Sequence, residues 1–96
     1  MAKYAYHQID GNQREIMDYL QAHGFSVESI GRPLDLIAGK DGRTYLLEIK
    51  LPKAKLRPTQ EKFLASWRGH AAVIRDLTDA KALIDRHNRV QEFSEL

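Results

Sequence analysis

Three residues carry the sharpest chemical signal in this chain. Asp35 lies in one apolar run, Leu34–Ala38, and Glu48 and Lys50 lie in the next, Arg43–Lys50, with Asp41-Gly42 between the two. An Asp-Gly pair favours a tight hairpin, and a hairpin closed there sets the strand of Asp35 beside that of Glu48. Two carboxylates so placed repel each other, which pushes one towards its protonated form unless a cation sits between them. The hard oxygens of such a pair suit Mg²⁺ or Mn²⁺. Lys50 follows Glu48 by two residues and so leaves the same face of the strand. There it can orient a water, stabilise developing negative charge or simply balance the carboxylates. The competing reading is a polar face on a half-buried strand, since Glu-x-Lys is a common sequence.

Gln60 precedes Phe63 and Leu64 by three and four residues, on the helix stripe expected to face the sheet. A buried amide left unpaired costs about 1–3 kcal/mol, so Gln60 needs a partner, unless its end of the helix is open to solvent. Glu15, taken alone, reads as an exposed acid on the flank of the first helix. Charge is unevenly spread. Residues 50–75 hold seven basic residues against one acid, Glu61, while the rest of the chain holds eight basic and twelve acidic ones. One segment is therefore +6 and the remainder −4, which fits either a polyanion-facing surface or a solvated charged face. Lys53, Lys55 and Arg57 form a basic loop directly after the strand of Glu48, and Lys62 follows in the next helix. Phosphate contacts from these residues would add affinity that is salt-dependent and blind to sequence. Arg68 and Arg75 could extend that surface, but pattern alone does not place them.

Composition removes many other chemistries. At 96 residues and 11.0 kDa the chain has room for one core, so the expectation is a single domain over 1–96. It has no cysteine, which excludes disulfides, iron–sulfur clusters, thiol nucleophiles and cysteine zinc sites, and is compatible with a reducing, cytoplasmic setting. No apolar run approaches the ~20 residues of a membrane span, and the first ten residues show no secretory h-region. His7, His23, His70 and His87 lack metal-ligand spacing and read as surface or core residues. The glycines form no phosphate-cradling loop, and the serines no nucleophile elbow. There is no zinc finger, RNP-type aromatic motif or helix-turn-helix signal, so any nucleic acid would be held by backbone and shape rather than base reading. Trp67 is expected in the core, with base stacking as the alternative. Tyr4 and Tyr6 alternate in an N-terminal arm that would pack on the first helix or contribute to a dimer surface.

The elements that must position these residues follow from periodicity. Asp10 or Asn12 can cap a helix reaching about His23, with Ile16, Tyr19, Leu20 and His23 at helical spacing and Gly24 as its stop. Phe25 to Ile30 alternates as a strand. Leu34–Ala38 and Arg43–Lys50 follow, the latter with Tyr45, Leu47 and Ile49 on one face. Pro52 to Pro58 is a loop. Thr59 is the expected cap of a helix from Gln60 to about Arg68, buried through Phe63, Leu64 and Trp67. A short strand, Ala71–Arg75, precedes a last helix capped by Thr78 and reaching about His87. The order α-β-β-β-α-β-α predicts an α/β fold, a mixed sheet flanked by helices.

These motifs, taken together and in order, resemble the signature of the PD-(D/E)XK nuclease superfamily, and more narrowly its VRR-NUC branch. That pattern has a glutamate in a preceding helix, a proline-aspartate element, a Glu-hydrophobic-Lys strand and a glutamine in the next helix. This chain offers Glu15, Asp35, Glu48-Ile49-Lys50 and Gln60 over roughly residues 10–75. It departs in one place, where Leu34 separates Pro33 from Asp35; a bulge would absorb the shift. The resemblance implies a restriction-endonuclease-like core and a metal-dependent DNA endonuclease. Asp35 and Glu48 would ligate Mg²⁺ or Mn²⁺ with the main-chain carbonyl of Ile49, Lys50 would activate water or stabilise charge, and Glu15 would hold the ion or its water. Lys53, Lys55, Arg57 and Lys62 would meet DNA. A symmetric homodimer would enlarge a small basic surface and pair two sites, which suits branched DNA such as Holliday junctions. The family's distribution implies a bacterial or phage origin. Two alternatives stand beside this: a non-catalytic nucleic-acid-binding module, and a nicking or end-trimming subunit of a larger complex.

Overall fold

The computed structural model describes residues 11–95; the arm with Tyr4, Tyr6 and His7, and the capping role expected of Asp10, lie outside them. In chain order the elements are α1 (Gly11–Ala22), β1 (Ser26–Ser29), β2 (Leu36–Lys40), β3 (Arg43–Ile49), α2 (Pro58–Ser66), β4 (His70–Ile74) and α3 (Leu77–Glu95). The four strands form one sheet in the order β1-β2-β3-β4. The first three are antiparallel neighbours, and β4 returns parallel to β3 after α2. This is the α-β-β-β-α-β-α order expected from periodicity.

Asp41 (φ 54°) and Gly42 (φ 77°) both take positive φ and join Lys40 to Arg43. Two consecutive positive φ values make the turn whose twist matches that of the flanking strands. The expected turn therefore contracts by two residues, Gly39 and Lys40 joining the strand. The turn fixes the register: Leu36 faces Leu47 and Ala38 faces Tyr45. Those side chains share one face with Ile49 and meet Ile16, Met17 and Leu20 of α1 and Ala80, Leu83 and Ile84 of α3 in a buried core. The opposite face of β3 carries Leu46 and Glu48, both buried as well.

Several local expectations are corrected. Thr59 does not cap α2. Pro58 occupies the first helical position, which its fixed φ favours, so the cap is Arg57. Thr78 does not cap α3: Asp76 Oδ1 accepts the Asp79 N–H at 2.9 Å. That helix runs to Glu95 rather than His87, because no Gly or Pro stops it. Asn12 lies inside α1, and its amide Nδ2 donates to the carbonyls of Lys50 (3.1 Å) and Arg75 (3.4 Å), pinning the helix start to the ends of β3 and β4. The stripe expected to bury α2 is only half covered at Phe63 and Leu64. Trp67, expected in the core, is 45% exposed, since the helix ends at Ser66 and carries it past the sheet. His87 is a core histidine: its Nε2 lies 2.8 Å from Asp41 Oδ2 and its Nδ1 2.7 Å from the Tyr45 hydroxyl. These bonds tie α3 to the hairpin.

Candidate active site

The hairpin register, extended one residue past β2, brings Asp35 opposite Glu48. Asp35 is held at both ends. Its carbonyl accepts the N–H groups of Ile30 (2.9 Å) and Gly31 (3.2 Å), closing the loop before β2. Its carboxylate Oδ2 accepts the Ile49 N–H at 2.9 Å. Leu34, the residue that departs from the expected proline-aspartate pair, turns into the core at 1% exposure. Pro33 and Asp35, on either side of it, both line a groove of about 720 Å³. Ordinary alternation thus accommodates the extra residue.

Glu48 reaches the same groove from β3, with only 3% of its surface exposed. Burial pushes its carboxyl up to about 7, and the neighbouring Asp35, within hydrogen-bonding reach, adds to the rise; the Lys50 and Arg57 charges oppose it. Lys50 Nζ stands 3.7 Å from Glu48 Oε2, as their shared strand face requires.

Gln60 has the buried partner that its helical position demanded. Its Nε2 donates to Glu48 Oε2 at 2.7 Å, and its Oε1 accepts the Arg57 N–H at 2.8 Å. The second bond is the glutamine half of a capping box. One side chain therefore starts α2 and orients the glutamate. Gln60→Ala leaves the buried Glu48 carboxyl without this donor and is expected to lower stability by about 1–3 kcal/mol, which thermal melts of variant and parent check.

The groove is walled by Arg32, Arg57 and Phe63 around Asp35, Glu48 and Gln60. Lys53, Lys55 and Arg57 are exposed along the loop that leads into α2, and Lys62 is exposed on α2. Arg75 plays a different part from that surface: its Nη1 donates to the carbonyls of Leu51 (2.9 Å), Pro52 (3.3 Å) and Ala54 (2.7 Å), clasping the loop from within. Glu15 is exposed on α1 and does not line the groove. Among the described residues no group of three or more His, Cys, Asp or Glu side chains gathers, so Glu15 does not join the pair. Arg32 went unforeseen, as did the bonds of Asn12, expected as a helix cap, to Lys50 and Arg75. Arg32 had a local signal in its place between Gly31 and Pro33, just ahead of Asp35; the long-range bonds of Asn12 had none.

The donor set fits a hard divalent cation. Two carboxylates meet in one groove, their repulsion raises the affinity of the site for positive charge, and an ammonium group stands alongside. Two protein carboxylates with the other positions filled by water or a carbonyl is the coordination that Mg²⁺ favours.

The fold is a four-stranded mixed sheet flanked by helices, with two carboxylates side by side at one end of the β2–β3 pair. A solved structure described as a VRR_NUC domain shares it, with a TM-score of 0.66 and 22% identity over 76% of this chain and 89% of that one. The fold is that of a VRR_NUC domain. No protein-family model and no curated protein matches the chain.

Proposed function

We propose that this chain is a divalent-metal-dependent DNA endonuclease, hydrolysing phosphodiesters at branched DNA such as Holliday junctions and working as a homodimer. The observation that carries the reading is the convergence of Asp35, Glu48 and Gln60 on one groove of a VRR_NUC fold, with the Lys50 ammonium beside Glu48. Asp35 and Glu48, with the Ile49 carbonyl, would hold Mg²⁺ or Mn²⁺. When bound, that ion supplies charge neutralisation at an anionic phosphodiester and a nucleophile near neutral pH. The chain's own groups do the remainder. The Ile49 N–H fixes Asp35, and Gln60 fixes Glu48. The Lys50 ammonium, beside Glu48, orients water or balances the charge that develops at phosphorus. Arg32 and Arg57 face an incoming phosphate from the groove wall.

Branched DNA is favoured by geometry. One small protomer offers a short basic surface, whereas a two-fold pair presents two grooves to two strands. Among the described residues no helix is long and apolar enough to cross a membrane, and a chain without cysteines suits the reducing cytoplasm. The test compares a labelled four-way junction, a nicked duplex and a linear duplex with Mg²⁺, Mn²⁺ or EDTA. Preferred cutting of the junction in either metal is expected; no cutting of any substrate in either metal refutes the proposal.

Neutralising Lys53, Lys55 and Lys62 together is expected to flatten the dependence of log affinity on log salt by about 2–3 units, because each lost phosphate contact removes close to one released counterion. Fluorescence anisotropy over a salt series in EDTA measures that slope. An unchanged slope places DNA elsewhere.

A further inference from the structure

Trp67 is the chain's only tryptophan and lies 45% exposed. A ring of that size left in water calls for an account. It is held in place rather than loose. Its indole stacks on Phe63, with ring centroids 5.2 Å apart and planes 25° from parallel. A Cβ added at Gly69 would come within 2.8 Å of Trp67 Nε1, so the indole lies directly against the Gly69 backbone. Gln60, Phe63 and Trp67 follow one another at helical spacing along one face. That line begins at the Glu48 carboxylate, passes Phe63 in the groove wall and ends at the exposed indole. The seven steps from Gln60 to Trp67 span about 10 Å at the helical rise, which is about three nucleotides of stacked strand. The neighbours are cationic: Lys62 and Arg68, adjacent in sequence to the two rings, are exposed, and Arg57 lies on the groove.

From this geometry we infer that Phe63 and Trp67 form a stacking platform for an unpaired base of the DNA strand whose backbone lies in the groove. The inference rests on the nuclease reading and narrows it: the branch point that is cut is one whose bases can unpair a few nucleotides from the scissile phosphate. An aromatic plane takes any base, because every base has a π-face. A base held in a duplex is already stacked on its neighbours and cannot reach the indole. Charge decides between occupants. Residues 50–75 carry a +6 balance, which attracts a polyanionic strand and repels a second copy of the same surface.

The test reads binding alone, in EDTA, so its outcome is independent of cleavage. Full-length protein is titrated with an oligothymidylate, a duplex of equal length and a strand of abasic sites, following tryptophan emission and anisotropy. The oligothymidylate should quench the emission, and the abasic strand should bind without quenching. Trp67→Ala should lower the ratio of single-strand to duplex affinity by about tenfold. Trp67→Phe, which keeps an aromatic plane, should restore most of that ratio. Gly69→Ala, which displaces the indole without removing it, should lower it in the same direction. Equal quenching by the abasic strand, an unchanged ratio in Trp67→Ala, or emission that shifts with protein concentration alone would each overturn the platform, the last by placing a second copy on it. Loss of cutting in Asp35→Asn speaks to the nuclease reading whichever way this test falls.

Discussion

Asp35→Asn is expected to slow metal-dependent cutting by about 10³-fold while leaving the fold intact. Asparagine keeps the shape of the side chain, and its carbonyl oxygen can still accept the Ile49 N–H now bound by Oδ2 at 2.9 Å. What it removes is a full negative charge from the pair proposed to hold a divalent ion. Charge stabilisation by such an ion is worth several kcal/mol, which corresponds to about that factor in rate. A second effect runs the other way at Glu48. The Asp35 charge is the second cause, after burial, of the raised Glu48 carboxyl, so the variant lets Glu48 ionise at lower pH. Single-turnover cleavage with Mg²⁺, beside a melt of each protein, measures both. A variant that melts like the parent and cuts like it removes Asp35 from the chemistry.

The largest effect on stability belongs to Glu48. Its carboxyl titrates near 7 in the folded chain against an ordinary 4.5. The folded state therefore binds more protons than the unfolded chain between those values, and stability must fall as pH rises through that window. The stabilising contribution is complete below about pH 4.5 and gone above pH 7. Between pH 5 and pH 8 the metal-free protein should lose about 3 kcal/mol through this group, at about 1.4 kcal/mol for each unit. Glu48→Gln keeps an acceptor for Gln60 Nε2 and has no proton to lose, so its melting temperature should hardly vary over the same range. Its difference from the parent should reach about 10 °C at pH 8 for a chain of this size. Mg²⁺ held by the proposed pair would compete with the proton, so its stabilising effect on the parent should be larger at pH 8 than at pH 5. Melts in EDTA and in Mg²⁺ across that range test the sign. Parallel curves for parent and variant would show that Glu48 is not the buried acid described.

The acidic pair was legible in the sequence because two local rules act on it together. Alternation fixes which face each strand residue takes, and Asp41-Gly42 fixes the register, so Asp35 and Glu48 had little freedom once the hairpin closed. Gln60 was legible for a similar reason, since an amide on an apolar helix stripe must find a partner. Trp67 was misplaced by the same rule. Helical spacing says which face a residue takes, but not where the helix outruns the sheet beneath it. The caps moved for a different reason: at α2 a proline in the first turn claims the start of the helix one residue ahead of the threonine that looks like its cap. The long-range bonds of Asn12 and Arg75 had no local signal at all. Their partners are backbone carbonyls 38 and 63 residues from Asn12 and 21–24 residues from Arg75, and carbonyl groups are the same at every position in a sequence.

The clasp made by Arg75 bears on how this loop can vary. One guanidinium gathers three peptide oxygens at the end of β4, so the first half of the connection after β3 is anchored to the sheet and not to the cations it displays. The charges of Lys53 and Lys55, whose carbonyls take no part in that clasp, can thereby change to suit different nucleic-acid shapes while the aim of the acidic pair stays constant.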